Sequence, residues 1–74
     1  MKTSKTVLLS KLGENVRMRR RELNLSQEQF AEVCGFDRTY ISLVERGKRN
    51  VSFSNLKGLA NGLGITVSDL TRGM

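Results

Sequence analysis

The sequence contains no histidine, no proline and no tryptophan, and it has a single cysteine, Cys34. Each absence removes a class of function. Without histidine and with one cysteine, a zinc site of the usual Cys/His kind cannot be assembled. The same lack rules out histidine-based acid–base and triad chemistry. Ser26 and Ser52 have no basic partner that would make them nucleophiles, so they read as helix caps. No acid–base pair and no cofactor-binding loop is evident, so neither an enzyme nor a bound cofactor or small-molecule ligand is expected. One cysteine cannot close an internal disulfide, and a reducing cytoplasm is the simpler compartment. No apolar run approaches the roughly 20 residues that span a bilayer. Val7-Leu8-Leu9, behind Lys2 and Lys5, falls short of a signal-peptide core of about 7–15 apolar residues. The expectation is a soluble, cytoplasmic protein with no membrane partner.

What the chain does have is positive charge. Its 74 residues carry 13 Lys and Arg against 7 Asp and Glu, a formal charge of +6 and a pI near 10.3. A small domain with that field favours a polyanion, nucleic acid before a membrane surface. A merely soluble basic domain ranks third, and no base-stacking platform of aromatic residues is apparent. At this length a single core is only marginally stable, and self-association is the remaining way to bury more area.

The apolar residues recur with helical period. Leu8, Leu12 and Val16 form a stripe on a helix over about 8–23, in which Gly13 costs about 1 kcal/mol relative to Ala. Asn24 is a stop. Ser26 with Gln29 three residues on forms a capping box for a second helix over 27–34, with Phe30, Ala31 and Val33 inward. Gly35 suits a left-handed C-cap. Asp37 is read as the cap of a third helix over 38–46, with Ile41 and Val44 inward. Ser52 caps a fourth over 53–62, with Leu56, Leu59, Ala60 and Leu63 on one face. Thr66 or Ser68 opens a fifth over 67–72. Phe30, Phe36, Phe53 and Leu56 are expected in the core, with Cys34 buried and unreactive. Short connections make this one all-α domain over 1–74.

Residues 27–46 carry the functional signal. Two short amphipathic helices joined by a glycine-containing turn form a helix-turn-helix, whose second helix enters the DNA major groove. Gln27 opens the first of these helices, where its side chain and the free N–H groups can hold a phosphate. With Ile41 and Val44 inward, Arg38, Thr39, Ser42 and Leu43 are left on the outer face of the second helix. Arg46, Lys48 and Arg49 follow, so 38–49 holds four basic residues against one acid, Glu45.

Leu25-Ser26-Gln27-Glu28, Ala31, Gly35, Ile41-Ser42, Glu45-Arg46-Gly47 and Leu59-Ala60-Asn61-Gly62-Leu63-Gly64-Ile65 stand in an order and spacing that resembles the lambda-repressor-like helix-turn-helix domain. Within it, Asp37-Arg38-Thr39-Tyr40-Ile41-Ser42 and Glu45-Arg46-Gly47-Lys48-Arg49-Asn50 look most like the controller proteins of restriction–modification systems. The resemblance implies a small dimeric regulator that binds DNA upstream of its own gene and the endonuclease gene. It implies base contacts from Arg38 and Thr39, joined by Ser42 and Leu43, of the kind in which Arg pairs with guanine. It places Gln27, Tyr40, Arg49 and Asn50 at the backbone or groove edge, and Arg46 and Lys48 are assigned to phosphates. It also implies an internal ion pair between Arg20 and Glu45, whereas Arg17, Arg19 and Arg21 read as a solvated face. Arg19 stands where relatives are often apolar, Val51 where many have proline, and Leu23 where a polar residue is usual.

Leu63, Ile65, Val67 and Leu70 are the expected dimer interface. A two-fold dimer calls for a palindromic operator with half-sites about 34–36 Å apart. Activation would further need contact with RNA polymerase, for which Glu28 and Glu32 are candidates. With no length for a sensor domain, regulation would follow dosage and dimerisation. Two other readings stay open: a phage or plasmid repressor of the same fold, and a helical protein-binding adaptor with no DNA role.

Overall fold

The computed structural model describes residues 4–74. Lys2, used above against a signal peptide, lies outside the described residues. Five helices follow one another: α1 Lys5–Glu22, α2 Gln27–Cys34, α3 Arg38–Glu45, α4 Phe53–Gly62 and α5 Val67–Leu70. No strand occurs among the described residues, so the all-α reading holds.

Local chemistry sets the boundaries. α1 begins three residues earlier than its apolar stripe suggests, because the Ser4 hydroxyl accepts from the Val7 N–H and caps it there. Ser26 and Gln29 form the full capping box of α2. Gly35 ends that helix at φ +75°, a backbone state open to glycine at little cost. Ser52 caps α4, and Thr66, not Ser68, caps α5. Asp37 sits at the start of α3 with extended backbone but makes no side-chain cap bond, contrary to expectation. α3 ends at Glu45 and α5 at Leu70, each a little sooner than read from the sequence.

Leu12, Val16, Phe30, Ala31, Ile41, Val44, Leu59, Ala60, Leu63 and Leu70 form the buried core. Phe36, Leu56 and Cys34 are half-buried against it. Two expected core residues face outward: Phe53 is 72% exposed and Val33 60%. Phe53 is the first residue of α4, before the helix has turned onto its partners, and Val33 lies at the edge of the α2 face that carries Phe30, with one side toward Gly62 and the rest in solvent. The self-association surface needs correction as well. Leu63 is 0% and Leu70 1% exposed within the monomer, so neither can offer area to a second chain. The turn from α4 into α5 folds both into the chain's own core, while Ile65 and Val67 remain half-exposed.

Gly13, expected to weaken α1, has a packing role. A Cβ there would lie 2.5 Å from the Val44 carbonyl oxygen and 2.6 Å from that of Glu45. The backbones of α1 and the last turn of α3 therefore meet where only glycine fits. Asn15, half a turn on, donates to the carbonyls of Leu70 and Arg72 and ties the end of the chain to α1.

Candidate nucleic-acid interface

α3 presents two faces of opposite character. Ile41, Val44 and Glu45 are buried, whereas Arg38 and Thr39 are exposed and Ser42 and Leu43 half-exposed. The exposed set recurs at i, i+1, i+4 and i+5, one side of the helix. Among the described residues, the side chains of Arg38 and Thr39 make no hydrogen bond or ion pair. Arg46 extends that side and its Nε donates back to the Ser42 carbonyl, 3.3 Å away. Lys48, Arg49 and Asn50 follow in an exposed loop.

The inner face is held by a buried ion pair. Arg20 Nε donates to Glu45 Oε2 at 2.6 Å and Nη2 to Oε1 at 2.9 Å, a two-pronged fork with side chains 10% and 2% exposed. The third nitrogen, Nη1, donates to the Leu25 carbonyl at 2.8 Å. Gln27 Nε2 donates to Glu45 Oε1 at 3.1 Å and completes the carboxylate's shell. The hydrogen bond to Glu45 raises the Arg20 pKa further above its ordinary value, so the guanidinium is charged at any relevant pH. No buried side-chain polar atom among the described residues lacks a partner. One residue, Glu45, thus joins α1, the start of α2 and the end of α3. The position of Gln27 at the start of α2 points only to a phosphate contact, and its bond to Glu45 has no signal in the sequence pattern.

The sole tyrosine is also fixed. Its ring lies 5.0 Å from that of Phe36, the Arg49 guanidinium sits over it at 5.5 Å, and its hydroxyl accepts from Asn55 Nδ2 at 3.1 Å. Along α1, Arg17 and Arg21 are solvated as expected. Arg19 instead reaches the Leu63 carbonyl through Nε at 3.1 Å and Glu22 through Nη1 at 3.2 Å. Leu23 is on the surface, as its departure from the usual polar residue suggested. No group of three or more His, Cys, Asp or Glu side chains among the described residues could hold a metal ion. No helix of the described chain is long and apolar enough to cross a membrane.

Residues 16–70 match the helix-turn-helix family. Over 54 residues the chain is 52% identical to the control protein C.MunI of a Mycoplasma species, covering 73% of each sequence. The crystal structure of the restriction–modification controller protein C.AhdI from Aeromonas hydrophila superposes with a TM-score of 0.81 at 45% identity, covering 84% of this chain and 94% of that one. The chain belongs to the helix-turn-helix family of restriction–modification controller proteins. Controller proteins are regulatory DNA-binding proteins. A third relative, C.Esp1396I, has been solved as a tetramer in complex with its natural 35 base-pair operator, with a TM-score of 0.76 and 37% identity over 80% of this chain and 78% of that one.

Proposed function

We propose that this controller protein is a dimeric, cytoplasmic transcription regulator without enzymatic activity. It binds a palindromic operator upstream of its own gene and of a neighbouring endonuclease gene. The observation that carries the reading is the division of α3. Its inner side is locked by the Arg20–Glu45 pair, while Arg38 and Thr39 stand exposed and unengaged beside a basic loop. In this reading Arg38, Thr39, Ser42 and Leu43 read base edges in the major groove. Gln27, Tyr40, Arg46, Lys48, Arg49 and Asn50 hold backbone or groove edge. Leu43, half-buried, offers an apolar contact such as a thymine methyl accepts.

Self-association uses what remains exposed around α4 and α5. Phe53, Lys57, Ile65 and Val67 line a shallow groove there, and the outward Phe53 supplies the apolar area that Leu63 and Leu70 cannot. A second copy seated on this groove pairs the two recognition helices about one DNA turn apart. On the outer side of α2, exposed Glu28 and Glu32 are available to RNA polymerase.

The test is a binding titration with duplex DNA from upstream of the chain's own gene and a scrambled duplex of equal length. Arg38→Ala is expected to weaken binding to the upstream duplex about 5- to 150-fold, the cost of one bidentate base contact. Scrambled DNA should lose little by comparison. Equal loss on both duplexes would show that Arg38 does not read bases.

A further inference from the structure

We infer that Asn55, on α4 and outside the recognition helix, is a positioning residue of the DNA interface: it sets Tyr40 as a platform and thereby aims Arg49. The inference rests on the DNA-binding reading given above. The loop between α3 and α4 needs such a support. The Lys48 N–H donates to the Leu43 carbonyl, but Arg49, Asn50 and Val51 donate no backbone hydrogen bond among the described residues. The chain has no proline to stiffen it, and Val51 is the one loop side chain packed against the core. Arg49 would otherwise spend its rotamer entropy on every encounter with DNA.

The support runs back to α4 in three contacts. The Arg49 guanidinium lies over the Tyr40 ring at 5.5 Å, a cation–π geometry. The Tyr40 hydroxyl accepts from Asn55 Nδ2 at 3.1 Å. The Phe36 ring packs on Tyr40 with centroids 5.0 Å apart, and next to Phe36 lies Gly58, where a Cβ would come within 3.2 Å of the ring. Asn55 and Gly58 are three apart on α4, so one stripe of that helix seats both aromatic rings. Tyr40 is half-buried and Asn55 is half-buried, and the bond between them couples the recognition helix to the scaffold at the point where the loop folds back. Truncating Asn55 leaves its helix cap in place, because the Ser52 hydroxyl accepts from the Asn55 backbone N–H.

Tyr40 is the only tyrosine and the chain has no tryptophan, so its fluorescence reports on this one ring. In the free protein, Asn55→Ala should lower the Tyr40 fluorescence anisotropy while the melting temperature falls by only a few degrees, as loss of one neutral hydrogen bond implies. On a 35 base-pair duplex from upstream of the chain's own gene, Asn55→Ala should weaken binding about three- to tenfold, as loss of a neutral hydrogen bond allows. In an Arg49→Ala background the same change should cost clearly less, because only the Tyr40 contact itself remains to be misplaced. Equal losses in both backgrounds, unchanged anisotropy, or unchanged affinity would each overturn the inference. If Asn55→Ala lowers the melting temperature strongly, Asn55→Ser, whose hydroxyl is too short to reach Tyr40, is judged by the same three readouts. If the wild-type chain does not prefer its upstream duplex over scrambled DNA, the functional reading fails, and with it the role of Asn55 at DNA. The anisotropy would then still show whether Asn55 fixes the ring.

Discussion

The two ends of α3 are built on opposite plans. At the C-terminal end Glu45 is buried, bound by Arg20 and Gln27, and the helix backbone rests on α1 at Gly13. At the N-terminal end Asp37 makes no cap bond, and Arg38 and Thr39 face solvent. An end held by charge-assisted bonds in a dry environment keeps its angle, and an end with unengaged polar side chains keeps its capacity for a ligand. The difference teaches that the buried charge that anchors α3 sits at its C-terminal end, away from the Arg38 and Thr39 side chains that we propose read DNA. Mechanical precision and chemical availability are divided between its termini.

Breaking the anchor should have the largest effect. Glu45→Ala leaves the Arg20 guanidinium buried without its carboxylate and strips Gln27 of its acceptor. Removing one partner of a buried ion pair costs about 3–5 kcal/mol, a large part of the stability of a domain this size. Replacing both partners with leucine should recover much of that loss, since a buried pair is often no better than apolar side chains of similar volume. Thermal unfolding of the wild type and these two variants decides it. A single Glu45→Ala variant as stable as the wild type would mean that the ion pair is not an anchor.

The seat at Gly13 comes next. In an isolated helix, alanine would stabilise α1 by about 1 kcal/mol over glycine. In this fold the added methyl would press on the Val44 and Glu45 carbonyls, and overpacking of that kind costs about 1–3 kcal/mol or more. The sign of the change is the test: Gly13→Ala should lower the denaturation midpoint. A raised midpoint would show that α1 and α3 can part without cost, and the fixed end would not be fixed.

These features were unequally legible in the sequence. The five helices, the Ser26 capping box and the inward Ile41 and Val44 follow from spacing and cap chemistry, which act within a few residues. Phe53 and Val33 were misread because apolar character tells that a residue could be buried, not that its direction meets a partner. Leu63 and Leu70 were assigned to an interface because amphipathic period cannot say whether an apolar stripe covers its own core or another chain's. Gly13 was seen only as a helix weakness, since the carbonyls it admits lie about thirty residues away in sequence. The Arg20–Glu45 pair came through family resemblance, and no local pattern would have supplied it. The Gln27–Glu45 and Asn55–Tyr40 bonds had no such precedent in the residues, because each joins helices whose relative placement only the fold provides.

The smallest expected effect probes the turn that leads into the free end of α3. Cys34 closes α2 just before that turn, and the seat it occupies is tight: a Cβ on Gly62 would lie 2.5 Å from its sulfur. Burial pushes the Cys34 thiol from the ordinary 9.0 up to about 11. At pH 9 about half of the thiol in the unfolded chain is ionised, against roughly one part in a hundred in the folded one, and only the thiolate reacts. Alkylation of the folded protein at pH 9 should therefore run up to about fifty-fold slower than in denaturant. The linkage has a definite sign. Because the folded state holds its proton to higher pH, the stabilisation is fully present below about pH 9 and is lost as pH climbs toward 11. Cys34 is partly solvated, so that slope should be shallow. If the folded chain reacted as fast as the unfolded one, the α2–α3 turn would be opening readily, and the free end of α3 would be loose in its backbone as well as unengaged in its side chains.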